Sequence, residues 1–294
     1  MKLAIGTVQF GMAYGISNRY GQTPQKEVAS MLATGEELGV ELLDTAASYG
    51  QSEKILGETL PKSHTFKIIT KTPHFKLPVI GISEVKYVQT AFEKSLKNLC
   101  QDAIYGLLIH NVDDLLVKGG ELLFDELRRL KDKGYIQKIG VSVYNGKQLD
   151  NILERYEIDI AQIPLNIFDQ KLLRDGYLTK LKNRGVETHA RSVFLQGLLV
   201  MPIAEVPPFF SPLMPLLQTY HNVINDHNVP LQTGALNFVK QINEIDYIIV
   251  GVCTKQQLIE NIKIYNLSLP LKVDYRAFAC DNDYLLNPCN WTLA

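Results

Sequence analysis

Four residues of types that handle protons stand in or just beyond three successive apolar runs. Asp44 lies in VELLDTA (40–46), Tyr49 follows in the next loop, Lys71 lies in FKIITKT (66–72), and His110 closes YGLLIH (105–110). If those runs are adjacent strands, the four side chains converge on one side of a sheet mouth. A free tyrosine has a pKa near 10, so it is a reluctant acid and a worse base at pH 7. A lysine cation beside it favours the phenolate and lowers that value, each unit of pKa being worth about 1.4 kcal/mol. Asp44 would hold Lys71 in place and keep it charged, and His110 would hydrogen-bond a reacting oxygen. Together they make a general acid/base facing a carbonyl. Taken singly, each has a bland reading: a helix cap for Asp44, loop packing for Tyr49, a solvated strand end for Lys71, a satisfied core histidine for His110. The joint arrangement carries the argument.

The elements that must position these residues follow from the apolar pattern. Eight short runs rich in β-branched residues read as strands: 3–8, 40–46, 66–72, 105–110, 138–143, 160–166, 186–193 and 247–252. They lack polar/apolar alternation, as parallel strands covered on both faces do. Helical patterns fill the gaps: one entering after Thr23–Pro24 and running to Glu37, then 52–60, 84–99, 119–133, 146–156, 174–184 and 255–266. Thr23 is expected as the N-cap with Pro24 at the first helical position. The stretch from Leu195 to Asn243 is longer, with a proline-rich excursion and helical patterns near 213–227 and 231–242. Eight βα units with one long insertion after strand seven predict an α/β fold, a (β/α)8 TIM barrel over 1–294 as a single domain. The competing doubly wound sheet needs a GxGxxG turn to hold a dinucleotide, and none is present. Gly6 and Gly11 have the spacing of a phosphate-binding loop, but Met12 follows where that motif requires lysine. In such a barrel the chemistry sits at the C-terminal strand ends, which adds Ser142, Gln162, Asn166, Arg191 and Ser192 to the polar residues at the mouth.

Composition excludes several classes. The chain has 294 residues, 46% hydrophobic and 21% charged, the balance of an ordinary globular protein. Thirty Lys and Arg against 31 Asp and Glu leave no basic excess for a nucleic-acid partner. The four cysteines, Cys100, Cys253, Cys280 and Cys289, form no CxxC pair and read as reduced thiols. Without an HxH or HExxH motif, no metal site is expected. Gln9 and the glycines at 6, 11 and 15 break the apolar N-terminus, so a buried first strand is favoured over a signal peptide. No run approaches the roughly 18 apolar residues of a membrane helix, and the expected location is the cytoplasm.

At this point the sequence resembles the aldo-keto reductases. LLDTAASYGQSEKILG, the TK at 70–71 and LLIHN at 107–111 are similar to three signature regions of that family, and IQKIGVSVYN, IAQIPLN and IIVGVCTKQQLIENI fit it further along. The resemblance runs from about Leu3 to Asn266. It implies an NADP(H) or NAD(H) cofactor lying extended across the barrel mouth, and reduction of an aldehyde or ketone with Tyr49 giving the proton, assisted by Lys71, Asp44 and His110. Ser142 and Gln162 match positions that bind the nicotinamide carboxamide. Arg191 stands where many members stack an aromatic ring on the nicotinamide, and a guanidinium plane can also stack. Ser192 and Gln196 match positions near the pyrophosphate. Gly251, Thr254, Lys255, Gln257, Glu260 and Asn261 belong to the segment that receives the adenosine end, where helix-start amides suit a phosphate. Two departures matter: Gln257 replaces an arginine that meets the 2′-phosphate in many members, and Val143 replaces a frequent asparagine. Lys255 is the substitute cation, and the NADP/NAD preference stays open, without a strong bias expected. Phe10, Tyr14, Tyr20, Phe209, Phe210 and Trp291 lie in loops able to line a pocket, although loop aromatics more often pack locally. The tail 267–294 is expected to fold over the mouth, as tails do in the family. A small-molecule carbonyl, by analogy a sugar-derived one, is the expected partner, with no nucleic acid and no membrane, in a monomer or small homo-oligomer. The alternative is a regulatory, cofactor-binding barrel with little turnover; a chain that starts almost directly on strand one favours the enzyme.

Overall fold

The computed structural model describes residues 1–267 and 270–292. Eight parallel strands close into a barrel in chain order: β1 Lys2–Gly6, β2 Leu42–Asp44, β3 Lys67–Lys71, β4 Ile104–Ile109, β5 Ile136–Ser142, β6 Ile160–Pro164, β7 Glu187–Arg191 and β8 Tyr247–Gly251. β1 and β8 seal it, with Lys2 opposite Tyr247 and Gly6 opposite Gly251. Each expected strand is present, with its ends shifted by one or two residues: β1, β4 and β5 start earlier than expected, and all eight end earlier.

The side-chain period of two explains the mouth. Ala4, Leu42, Ile69, Leu108, Ile160, Tyr247 and Ile249 form their own buried cluster inside the barrel. Leu3, Ile5, Leu43, Ile68, Leu107 and Ile109 point outward into the larger core beneath the helices. Stepping two residues along from the interior Leu42, Ile69, Leu108 and Ile160 reaches Asp44, Lys71, His110 and Gln162. The polar residues are thus the next inward layer above an apolar plug.

The helices depart from expectation in three places. Pro24, not Thr23, takes the N-cap position of helix Gln25–Glu37, with no side-chain cap; Thr23 is buried and its hydroxyl donates to the Cys253 carbonyl at 3.4 Å. The single helix expected over 174–184 is split into Lys171–Arg174 and Tyr177–Asn183, because Gly176 adopts a left-handed φ of 78° between them. A short helical turn, Val8–Gly11, follows β1 directly. The insertion after β7 holds helices Met214–Asn225 and Leu231–Lys240. The C-terminal segment contributes the turns Tyr275–Phe278, Asp283–Leu286 and Pro288–Asn290. Among the described residues, no helix is long and apolar enough to cross a membrane.

Candidate active site

Asp44 is the last residue of β2, and its main-chain carbonyl is held by the amide and hydroxyl of Thr7 at 2.9 and 3.0 Å. Lys71 ends β3 and is 1% exposed. Its Nζ donates to Asp44 Oδ1 and Oδ2 at 2.7 and 2.8 Å, to the Thr45 carbonyl at 2.9 Å, and lies 3.4 Å from Tyr49 Oη. Gln162 Nε2 donates to the same Asp44 Oδ1 at 2.8 Å. The carboxylate is therefore a buried hub with charge-assisted bonds on both oxygens, the arrangement that makes a buried ion pair tolerable.

Tyr49 owes its position to close backbone packing. A Cβ on Gly11 would lie 1.8 Å from the Tyr49 carbonyl oxygen, so only glycine lets the Val8–Gly11 turn approach this loop. Gly50, at φ 57°, turns the chain back beneath it. Ser52, the next anchor, donates its hydroxyl to the Thr7 carbonyl at 2.8 Å and accepts from Thr45 Oγ1 at 3.0 Å.

The electrostatics differ from expectation at Tyr49. Its phenol is pushed up from its ordinary pKa, first by burial and then by the Asp44 carboxylate; the Arg191 guanidinium acts the other way. The expected lowering by Lys71 does not prevail, because Asp44 grips the ammonium with both oxygens and offsets its field, while burial penalises the phenolate. Burial likewise lowers the Lys71 pKa, opposed by Asp44. His110 follows β4 directly. Its amide donates to Thr72 Oγ1 at 3.2 Å and its Nδ1 is 3.4 Å from Ser48 Oγ. Its ring meets His74 edge-on at 4.2 Å and Tyr49 at 5.8 Å. Burial, then the positive charges of Lys71, His74 and Arg191, push its pKa down to about 2. Both causes favour the neutral imidazole over the cation.

Asp44, Tyr49 and His110 line one end of an open cavity of about 440 Å³. Ser142, Gln162, Arg191, Ser192, Gln196, Gly251, Gln257, Glu260 and Asn261 line it as well. Thr254 and Lys255 are not brought into its wall: Thr254 Oγ1 accepts from the Gln257 amide at 3.2 Å, and the Lys255 amide donates to Glu27 Oε1 at 2.5 Å. Of the six loop aromatics, Tyr14 and Tyr20 reach the wall. Phe10 and Phe210 are fully buried in the core instead; Phe209 packs on Phe210 and Tyr284, and Trp291 on Phe210, at ring separations of 4.9–5.3 Å. Pro288 and Cys289 of the C-terminal segment stand at the cavity. His189 does not face it; its Nε2 lies 2.7 Å from Glu187 Oε1 deeper in the barrel.

Several wall residues escape the sequence reading, Tyr144 and Gln9 among them. Tyr144 lies two residues beyond the end of β5, and the Arg191 guanidinium sits 4.4 Å over its ring. Arg191 also donates to the Val143 carbonyl at 3.1 Å and contacts Ser192 Oγ at 3.3 Å, with no carboxylate partner among the described residues. Gln9, in the turn after β1, lines the cavity, and its buried Oε1 has no hydrogen-bond partner among the described residues. Listing polar residues two and three positions past each strand end, not only at it, is the signal that would have found both. The unpartnered Gln9 amide oxygen, and a Ser142 hydroxyl with no protein partner among the described residues, are what a polar ligand spanning the wall would satisfy. Among the described residues, no group of three His, Cys, Asp or Glu stands together to hold a metal.

The family model described as "Aldo/keto reductase family" matches residues 2–274. Pyridoxal 4-dehydrogenase of Microbacterium luteolum is 21% identical in an alignment covering 91% of this chain and 90% of that protein. The NADH-specific methylglyoxal reductase of Escherichia coli (strain K12) is 22% identical over 79% of this chain and 80% of that protein. Among solved structures, the holo form of an aldo-keto reductase from Bacillus halodurans superposes with a TM-score of 0.73 at 19% identity, covering 94% of this chain and 90% of that one.

Proposed function

This chain belongs to the aldo/keto reductase family, the NAD(P)H-dependent carbonyl reductases, and we propose that it reduces a small polar aldehyde or ketone with Tyr49 as the proton donor. One observation carries the assignment. Tyr49, in the cavity wall, has its Oη 3.4 Å from an ammonium that a carboxylate grips from behind, and the His110 ring stands 5.8 Å from its own.

The wall residues fit a nicotinamide dinucleotide. Ser142 offers a free hydroxyl. Gln162 spends its amide nitrogen on Asp44 and keeps its carbonyl oxygen for a ligand. Gln9 has an amide oxygen in want of a donor. Ser192, Gln196, Gln257, Glu260 and Asn261 line the same cavity. Arg191 uses one face on Tyr144, so any stacking on the nicotinamide falls to its other face. When bound, a reduced nicotinamide supplies the two electrons and the hydrogen that the carbonyl carbon takes up.

The rest is the protein's own chemistry. His110 donates a hydrogen bond to the carbonyl oxygen and orients it. Tyr49 releases its phenolic proton to that oxygen as negative charge gathers there. A raised phenol pKa suits this role: the phenol is fully protonated at neutral pH, and the developing alkoxide is more basic than a phenolate, so the transfer runs downhill. Lys71 then hydrogen-bonds the phenolate, and Asp44 keeps the ammonium aimed. Pro288 and Cys289 make the C-terminal segment part of the rim, where it bears on which carbonyls enter.

The Tyr14 hydroxyl, which accepts from Gln196 Nε2 at 3.0 Å, with Asn18 and Tyr20 in the same wall, suits a hydroxylated or dicarbonyl substrate, sugar-derived ones included. The names of two relatives, a pyridoxal dehydrogenase and a methylglyoxal reductase, support the same class. The test is a panel of sugars, short aldehydes and diketones, followed by loss of reduced-nicotinamide absorbance. Turnover confined to large apolar ketones, or none at all, contradicts the assignment.

A further inference from the structure

Around Tyr49 one charge is left without a counter-charge. The charged side chains lining the cavity, among the described residues, are Asp44, Arg191 and Glu260. Asp44 is spent on Lys71, with both oxygens engaged. Glu260 lies on helix Lys255–Leu267, after β8, and accepts from Gln256 Nε2 at 2.8 Å. Arg191 ends β7, two positions beyond His189, and makes no ion pair among the described residues. Asp169, which also feels the Arg191 charge, is paired with Lys171 at 3.4 Å instead. The guanidinium charge reaches across the site. It favours the phenolates of Tyr14 and Tyr49, against the larger effect of burial, and adds to burial in keeping His110 unprotonated.

A guanidinium carries five N–H donors in a planar fork. Two are used here, on the Val143 carbonyl at 3.1 Å and on Ser192 Oγ at 3.3 Å, and the Tyr144 ring at 4.4 Å fixes the plane. The rest have no protein partner among the described residues. A fork held still with free N–H groups matches a carboxylate or a phosphate, which accepts two parallel bonds from it. A hydroxyl donor stands in the same wall. Tyr14 Oη accepts from Gln196 Nε2 at 3.0 Å, which leaves its own proton to give. Burial keeps that phenol protonated, its pKa pushed up to about 12. An anion beside Arg191 therefore meets donors, and the carboxylate nearest the chemistry, Asp44, is already bound on both oxygens.

We propose that Arg191 determines specificity in the reduction proposed above, the reading on which this inference rests. It selects carbonyl compounds that also carry an anionic oxyacid group, a carboxylate or a phosphate monoester, seated on the free edge of the guanidinium while the carbonyl meets Tyr49.

The experiment compares matched substrates on the intact protein with saturating reduced nicotinamide: butyraldehyde with succinic semialdehyde, glucose with glucuronate, and glyceraldehyde with glyceraldehyde 3-phosphate. The anionic member of at least one pair is expected to have a kcat/KM at least tenfold higher, about 1.4 kcal/mol. The first two pairs report on a carboxylate and the third on a phosphate. In Arg191→Gln that ratio should collapse at least fivefold, whatever happens to turnover as a whole, and Arg191→Lys should keep part of it. A second measurement needs no variant: succinate should inhibit reduction of butyraldehyde competitively, and succinamide should not. Equal kcat/KM within every pair, equal inhibition by succinate and succinamide, or a ratio that survives in Arg191→Gln overturns the proposal and leaves the carbonyl-reductase reading standing. Lost nucleotide affinity in Arg191→Gln, with no preference in the unaltered protein, gives the guanidinium to the cofactor's phosphates and also overturns it. Turnover of no member of any pair overturns the reductase reading itself, and the selectivity with it.

Discussion

Replacing Lys71 by methionine removes the one cation that touches both Asp44 and Tyr49. The side chain is 1% exposed, so nothing but protein fills its surroundings. Its loss leaves the Asp44 carboxylate, itself 4% exposed, with the Gln162 amide as its remaining side-chain donor. Breaking one half of a buried pair costs about 3–5 kcal/mol, because the surviving charge stays buried without compensation. At roughly 2 °C per kcal/mol for a chain of this size, the midpoint of thermal unfolding should fall by about 6–10 °C. The double variant Lys71→Met/Asp44→Asn removes both charges and should recover most of that loss. Turnover should not return with it, since Tyr49 still lacks the ammonium that receives its phenolate. Calorimetric unfolding and steady-state turnover on the three proteins separate the two effects. The reasoning is refuted if Lys71→Met alone unfolds within 2 °C of the unaltered protein, or if the double variant regains turnover along with stability.

Two further outcomes follow from the geometry. His110 binds a proton in the unfolded chain near pH 6.5 but in the folded protein only near 2; its contribution is therefore whole above pH 6.5 and lost as pH falls below it. His110→Asn should flatten the acid decline of stability between about pH 6.5 and 3, and kcat/KM of the unaltered protein should show no histidine ionisation between about pH 5 and 8; a limb that His110→Asn abolishes would contradict the neutral imidazole. Gly11→Ala drives a methyl group to 1.8 Å from the Tyr49 carbonyl oxygen, so stability should drop by about 1–3 kcal/mol and turnover should fall with nucleotide binding retained, measured by denaturant unfolding and the absorbance assay.

The barrel was readable in the sequence because parallel strands covered on both faces leave continuous apolar runs, and all eight stood out. The candidate site residues were readable for a related reason: Asp44, Lys71 and His110 each end or follow such a run, on the inward phase set by Leu42, Ile69 and Leu108. What lay outside that logic was harder to see. Gln9 and Tyr144 sit in the turns beyond strand ends, where no period fixes direction. Phe209, Phe210 and Trp291 could line a pocket or pack locally, because loop sequence says nothing of which way a ring turns; they pack locally, Phe209 and Trp291 both on Phe210. Tyr49 illustrates a different limit. Proximity to Lys71 was legible, but the sign of its pKa shift depends on burial and on how tightly Asp44 holds the ammonium, and neither is written in spacing. Helix 174–184 was read through Gly176, whose left-handed turn breaks it.

The account rests on the phenolic proton of Tyr49, and Tyr49→Phe tests it most directly. The variant deletes one oxygen and leaves the ring, the cavity wall and the Lys71–Asp44 pair in place. Measured against the best carbonyl of the panel, its kcat should fall by about 10²–10⁴-fold, the usual worth of a positioned acid, while reduced-nicotinamide affinity from fluorescence titration stays within threefold. Turnover within threefold of the unaltered protein, with nucleotide binding intact, would contradict the assignment of Tyr49 as proton donor.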